Sequence, residues 1–225
     1  MAAIKLTQKA NRERVLEVIQ RLEEIYPDAR CALNFSTPLE LLVSVILSAQ
    51  CTDERVNIVT RELFQRFKTA ADYAEAPPEA IEKIIHSCGF YLQKTKSIQN
   101  ACRALLDRFG GEIPGTMEEL LTLDGVGRKT ANVVLAECHG VPGIIVDTHC
   151  KRVAGRLGFT KNTDPVKIEF DLLKIVPREH QRMFSHYMVF HGRNICHARS
   201  ARCSQCPLFE LCPFPHSAKG KKIAK

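Results

Sequence analysis

No apolar run in this chain approaches the ~20 residues that a helix needs to cross a bilayer. The longest, LLVSVIL at residues 41–47, suits a buried helix instead. The opening stretch MAAIKLTQKANRERV lacks the apolar segment of a secretory signal, so a reducing cytosol is the expected compartment. Repeats and low-complexity blocks are absent, which sets aside solenoids and long disordered regions. Extended segments are scarce as well. Only GIIVD, residues 143–147, reads as a strand, so a sheet has almost nothing to be built from.

What remains is helix. The 225 residues can bury one good core or two modest ones. Their 45% hydrophobic and 25% charged content is that of an ordinary water-soluble protein. Val15, Val18, Ile19, Leu22 and Ile25 form a 3.6-residue stripe that ends at Tyr26-Pro27. Ser36 or Thr37 then caps a helix with Pro38 in its first turn, apolar on most faces and so central. Asp53 is expected to cap the next helix, with Val56, Val59, Leu63, Phe64 and Phe67 inward. Further helices are expected over 78–87, 92–109, 116–123, 128–138 and 148–157. Two more follow in DPVKIEFDLLKIV and EHQRMFSHYMVFHGR. The fold class is all-α.

A net charge of +7 favours a polyanionic partner without specifying one. The terminal HSAKGKKIAK reads as a disordered basic tail able to touch phosphates. Sharper information lies in LDGVGRKTANVV, residues 123–134. Gly125-Val126-Gly127 can turn the chain between two helices, and the free N–H groups opening the second helix make an anion site. A nucleic-acid phosphate would fit there without regard to base sequence, and Arg128 would support it. The plain alternative is a helix–helix turn with no ligand. Cations are disfavoured at a helix N-terminus, yet Lys129 sits there. Partly desolvated beside Arg128, its amine should shed a proton readily and become a nucleophile able to form a Schiff base. Otherwise it is a surface lysine. Asp147 of VDTHC can return to its neighbourhood after a helix of ~15 Å and an extended reversal. Its competing role is a helix N-cap.

Six of the ten cysteines are scattered among apolar neighbours and read mostly as inert buried thiols. Cys196, Cys203, Cys206 and Cys212 form a C-x6-C-x2-C-x5-C cluster that argues for a metal centre over disulfides. Zinc sites generally use two short pairs around a longer loop. A single CxxC flanked by singletons better suits wrapping an iron–sulfur cluster. Arg193, Arg199, Arg202 and His197 would offset its negative charge.

Together these features resemble the endonuclease III family of DNA repair glycosylases. The resemblance runs from ELLVSVILSAQCTD through LDGVGRKTANVVL and VDTHCKRVAGRLG to the cysteine loop. It implies two helical lobes with a DNA-binding groove between them: a six-helix lobe over residues 31–141, and a second lobe from 1–30 and 142–225. A C-terminal [4Fe-4S] loop would span 196–212. The turn becomes a helix-hairpin-helix with Gly125, Val126, Gly127 and Arg128 at a phosphate. Lys129 becomes the catalytic nucleophile and Asp147 its catalytic partner. Gln50 and Phe90 would fill the gap left by an extruded base, and His149 would hold the loop or a phosphate. Leucine is common in the family where Phe90 stands, and proline where Asp124 precedes the turn.

The implied function is a base excision repair glycosylase with AP lyase activity. It would act as a monomer, without a membrane, on double-stranded DNA carrying oxidised pyrimidines or abasic sites. A borderline relative, the adenine-excising glycosylase, lacks the lysine and usually carries a further C-terminal domain. A non-catalytic helix-hairpin-helix scaffold with a structural metal loop is the other alternative.

Overall fold

The structure is a computed structural model that describes residues 7–223, and its regular elements there are helical, without strands. The reading of the first six residues, and of the last two of the basic tail, lies outside the described residues. In chain order the helices are α1 (Gln8–Ile25), α2 (Pro38–Leu47), α3 (Asp53–Arg66), α4 (Ala70–Glu75), α5 (Pro78–Ile85) and α6 (Tyr91–Phe109). There follow α7 (Met117–Leu120), α8 (Arg128–Cys138), α9 (Thr148–Arg156), α10 (Pro165–Leu173), α11 (Gln181–Asn194) and α12 (Ala218–Ile223). The segment at 143–147, expected as extended, has no strand partner and simply leads into α9.

The chain divides into two compact units: Cys31–Val141, and Met1–Arg30 together with Pro142–Lys225. The first holds α2 to α8. Every residue of α2 from Leu41 to Leu47 is buried, so beyond its first turn this helix has no solvent face and the others gather round it. It packs on α3, α6 and α8. Thr37 is its N-cap, accepting from the Glu40 N–H at 3.2 Å. Thr52, not Asp53, caps α3, because its hydroxyl lies where the Arg55 N–H can donate (3.2 Å), which moves Asp53 into the first turn.

This unit has one helix more than the six expected. Helix α4 is too short to show a periodicity, and a reciprocal capping box between Thr69 and Asp72 starts it. Helix α6 then holds α4 by its backbone: Gln99 Nε2 donates to the carbonyls of Tyr73 and Ala76, and Arg103 to that of Ala74.

The second unit closes around Val15, Val18, Leu22, Val153, Leu157, Ile168, Leu172, Phe184 and Met188. Burying a side chain such as Phe184 contributes roughly 1.5–3 kcal/mol. The α1 stripe stops at Leu22, since Ile25 faces solvent. Arg14 ties α1 down by donating to the carbonyls of Leu157 (2.7 Å) and Leu211 (2.6 Å), with its guanidinium over the Phe159 ring. The tail is not disordered as far as Ile223. Residues 218–223 form α12, in which Gly220 backs onto the Phe214 carbonyl too closely for any side chain.

Candidate functional site

The hairpin lies in the first unit, between α7 and α8. The Val126 N–H donates to the Leu123 carbonyl, closing a tight turn with Gly125 at φ +75°. A Cβ on Gly125 would also come within 2.9 Å of the Ser97 Cβ, so both backbone and space demand glycine. Asp124 is turned onto α6. Asn100 Nδ2 donates to its Oδ2 (2.9 Å), and the Ser97 hydroxyl approaches Oδ1 (3.4 Å).

Gly127 is the N-cap of α8 and makes no side-chain capping bond. Arg128 and Lys129 follow directly. Lys129 is exposed, and the turn itself packs inward through Leu123 and Val126.

Two more turns in this unit carry unusual backbone. Gln50 (φ 52°) and Phe90 (φ 49°) are the non-glycine residues with positive φ among the described residues. Phe90 is 68% exposed, which removes core packing as its role. Strain of this sort costs of order 1–3 kcal/mol per residue and persists only where neighbours hold it. The holder is Lys94, itself 5% exposed. Its Nζ donates to the Leu47 carbonyl at the end of α2 and to the Cys88 carbonyl, each at 2.8 Å. The sequence reading missed this lysine, which looks like a surface residue of an amphipathic helix.

Asp147 belongs to the second unit. Ile144, Ile145 and Val146 are buried ahead of it, and the Ile145 N–H donates to the Ser185 hydroxyl at 2.9 Å. Asp147 Oδ1 then accepts from the Cys150 N–H at 2.7 Å, capping α9. Two residues on, His149 Nδ1 meets an Arg152 N–H at 3.0 Å. Arginine can only donate, so in the neutral ring the proton sits on Nε2. Burial pushes the His149 pKa below its ordinary value; Asp147 opposes this, and Arg152 and Arg193 reinforce it. Gly192 makes the arrangement possible, since a Cβ there would lie 2.8 Å from His149 Nδ1 and 3.0 Å from the Arg152 guanidinium.

The four C-terminal cysteines line one recess in the same unit, partly open to solvent. Three short turns, at 203–205, 209–211 and 214–216, carry the chain around it. Burial pushes the thiol of Cys206 up to about 11 and that of Cys212 up to about 12. Backbone N–H groups of Leu208 and Phe214 counter this at the two sulfurs. Arg156 donates to Cys196 Sγ at 3.2 Å and to the carbonyls of His197 and Ala198, with its guanidinium over Phe214. His191 Nε2 lies 3.5 Å from Cys206 Sγ, and its Nδ1 lies 3.4 Å from the Tyr26 hydroxyl. Burial lowers the His191 pKa to about 4, so the ring is neutral at pH 7. Among the described residues no three His, Cys, Asp or Glu side chains gather closely enough to hold one metal ion.

Residues 43–178 match the HhH-GPD superfamily of base excision DNA repair proteins. The chain is 50% identical over 214 residues to endonuclease III of Synechocystis, covering 95% of this chain and 98% of that protein. Against endonuclease III of Escherichia coli K12 the identity is 42% over 204 residues, covering 91% and 97%. Its structure is similar to that in a non-covalent endonuclease III–DNA complex, with a TM-score of 0.86 at 43% identity over 94% and 97% of the two chains. The same values hold for a trapped endonuclease III–DNA covalent intermediate. A thermostable thymine-DNA glycosylase, 21% identical, shares the fold with a TM-score of 0.82. The chain belongs to the HhH-GPD superfamily of base excision DNA repair proteins, and within it to the endonuclease III family.

Proposed function

We propose that this endonuclease III-family chain is a bifunctional DNA glycosylase and AP lyase acting on oxidised pyrimidines in duplex DNA, with Lys129 as its nucleophile. The observation that carries the assignment is a helix start at Gly127 with no capping side chain, reached through a turn whose Gly125 tolerates no Cβ, and followed at once by Arg128 and Lys129. Such a start is made for a phosphate, and a cation there is stabilised once the anion arrives. The trapped covalent intermediate of a 43% identical relative supports chemistry through a covalent adduct.

DNA is held first by its phosphates, at Gly125, Val126, Gly127 and Arg128, with His149 at a further phosphate. The duplex covers Lys129, and loss of water favours the uncharged amine. The damaged nucleotide leaves the stack, a step that is easier for poorly stacked bases. Exposed Gln50 and Phe90, presented on their strained turns, occupy the vacated space. Lys129 Nζ then attacks the sugar anomeric carbon as the base departs. Asp147 stabilises the positive charge that develops on the sugar and assists proton transfer. The Schiff base on Lys129 acidifies the C2′ proton, and β-elimination breaks the strand.

Cys196, Cys203, Cys206 and Cys212 would hold a [4Fe-4S] cluster, whose contribution is to cross-link the C-terminal loop. Four thiols spread around a recess suit a multi-atom cluster better than a single ion. Arg156, the two backbone N–H groups and a His191 N–H supply the outer hydrogen bonds that anionic sulfur needs. The protein works as a monomer in the cytoplasm; no helix among the described residues is long and apolar enough to cross a membrane.

The test is borohydride reduction during reaction with abasic-site DNA. A covalent adduct is expected with the native chain and not with Lys129→Gln, which should still bind. An undiminished adduct in the variant removes Lys129 from the role.

A further inference from the structure

Among the six cysteines outside the C-terminal loop, Cys51 and Cys88 stand on two turns that Lys94 holds together. Cys51 ends the turn that follows α2, with its N–H donating to the Ser48 carbonyl at 3.1 Å. Cys88 closes the short 3-10 turn at 86–88. Cys51 is near enough to help raise the pKa of the Cys88 thiol, after burial. Their approach is built into the backbone, because Lys94 Nζ donates at 2.8 Å both to Cys88 itself and to Leu47, four residues before Cys51. Cys51 is partly exposed and Cys88 is buried. Cys51 directly precedes Thr52, the N-cap of α3.

We propose that Cys51 and Cys88 form a redox-active dithiol, which a hydroperoxide converts to a disulfide joining the turns that carry Gln50 and Phe90. Cys51 reacts first, since it is the thiol that solvent reaches. Its thiolate attacks one peroxide oxygen, the O–O bond breaks, and hydroxide leaves to become water, giving a sulfenic acid. The Cys88 sulfur then attacks the Cys51 sulfur. The S–S bond forms, the S–O bond breaks, and the Cys88 proton leaves with the departing oxygen as a second water. Two thiols and one hydrogen peroxide thus become one disulfide and two waters, with two electrons passing from sulfur to oxygen. Burial pushes the Cys88 thiol up to about 11, so the second step is the slower one. A dithiol reductant reverses the change by exchange.

The position gives the bond its meaning. Cys51 adjoins Gln50, and Cys88 lies two residues before Phe90. The disulfide adds a covalent link between two strained turns that Lys94 otherwise holds through hydrogen bonds alone. The consequence for DNA, though not the bond, rests on the roles proposed above for Gln50 and Phe90: the oxidised chain should bind abasic-site DNA at least threefold more weakly.

The test treats the iron-loaded protein with one equivalent of hydrogen peroxide, blocks free thiols by alkylation, and maps unreduced peptides by mass spectrometry. A peptide pair joined through Cys51 and Cys88 is expected, and neither Cys51→Ser nor Cys88→Ser should yield it. Recovery of both cysteines alkylated, or of Cys51 joined elsewhere, overturns the dithiol. Affinity for abasic-site DNA is measured in parallel, before and after dithiothreitol. Peroxide damage to the cluster would weaken the native chain and Cys88→Ser alike, whereas the disulfide acts only on the former. A mapped bond with unchanged affinity keeps the dithiol and overturns its effect through the two turns.

Discussion

Asp147 Oδ1 accepts a 2.7 Å hydrogen bond from the Cys150 N–H, so the proposed catalytic carboxylate is also the N-cap of α9. The two roles separate by substitution. Asparagine caps a helix about as well as aspartate, while alanine forfeits about 1 kcal/mol. Asp147→Asn should therefore melt within ~2 °C of the native chain, yet turn over roughly 100-fold more slowly or worse. Asp147→Ala should lose both. Equal activity in Asn and native proteins would leave capping as the sole role.

Gly125 and Gly127 look alike in sequence and differ in what they require. Alanine at Gly125 meets a left-handed backbone and the Ser97 side chain together, and should cost roughly 2–4 kcal/mol. Gly127 has φ −92° and open space at its Cβ position. Gly127→Ala should keep its melting temperature within ~2 °C and lose DNA affinity only through the added methyl at the phosphate. Thermal melts with binding curves on abasic-site DNA check both. A Gly125→Ala chain of native stability would contradict the packing described for the turn.

Anaerobically purified protein should contain about four irons and four sulfides per chain and absorb in the visible. Cys212→Ser should reduce the iron content and labilise the loop, seen as faster proteolysis after residue 195. Stoichiometric zinc without iron would replace the cluster by a different metal site.

Helix α4 should soften in acid. The Asp72 carboxylate accepts from the N–H groups of Lys68 (2.7 Å) and Thr69 (2.9 Å), which hold its pKa below the ordinary 3.8. A lowered folded value means that its stabilisation is complete above the unfolded pKa and is lost as pH falls through the folded one. Amide exchange in α4 should accelerate over that acid range relative to α6, and Asp72→Asn should abolish the pH dependence.

The features legible in sequence were those with local causes. The burial of α2 followed from an uninterrupted apolar run, and α8 from a glycine turn with an apolar stripe behind it. Helix α4 escaped because six residues carry too little periodicity, although Thr69 and Asp72 were a usable signal. The cap falls one residue earlier than expected, at Thr52, because Asp53 is the better capping residue in general and local geometry decides between neighbours. Lys94, Arg156 and the Tyr26–His191 pair were invisible for a different reason. Each acts on groups far away in sequence, and a single chain gives no hint of which carbonyl or sulfur a buried side chain will find. The same holds for Cys51 and Cys88, whose spacing matches no motif.

One unit is assembled from both ends of the chain, with Arg14 reaching to Leu157 and Leu211. On the ribosome α1 emerges first, but its packing partners in the same unit are made last. Residues 31–141 can therefore fold while α1 still waits with its apolar stripe uncovered, so a nascent chain passes through a stage that invites chaperone capture. Ribosome stalling before codon 190 should leave α1 open to protease, and release of the full chain should close it.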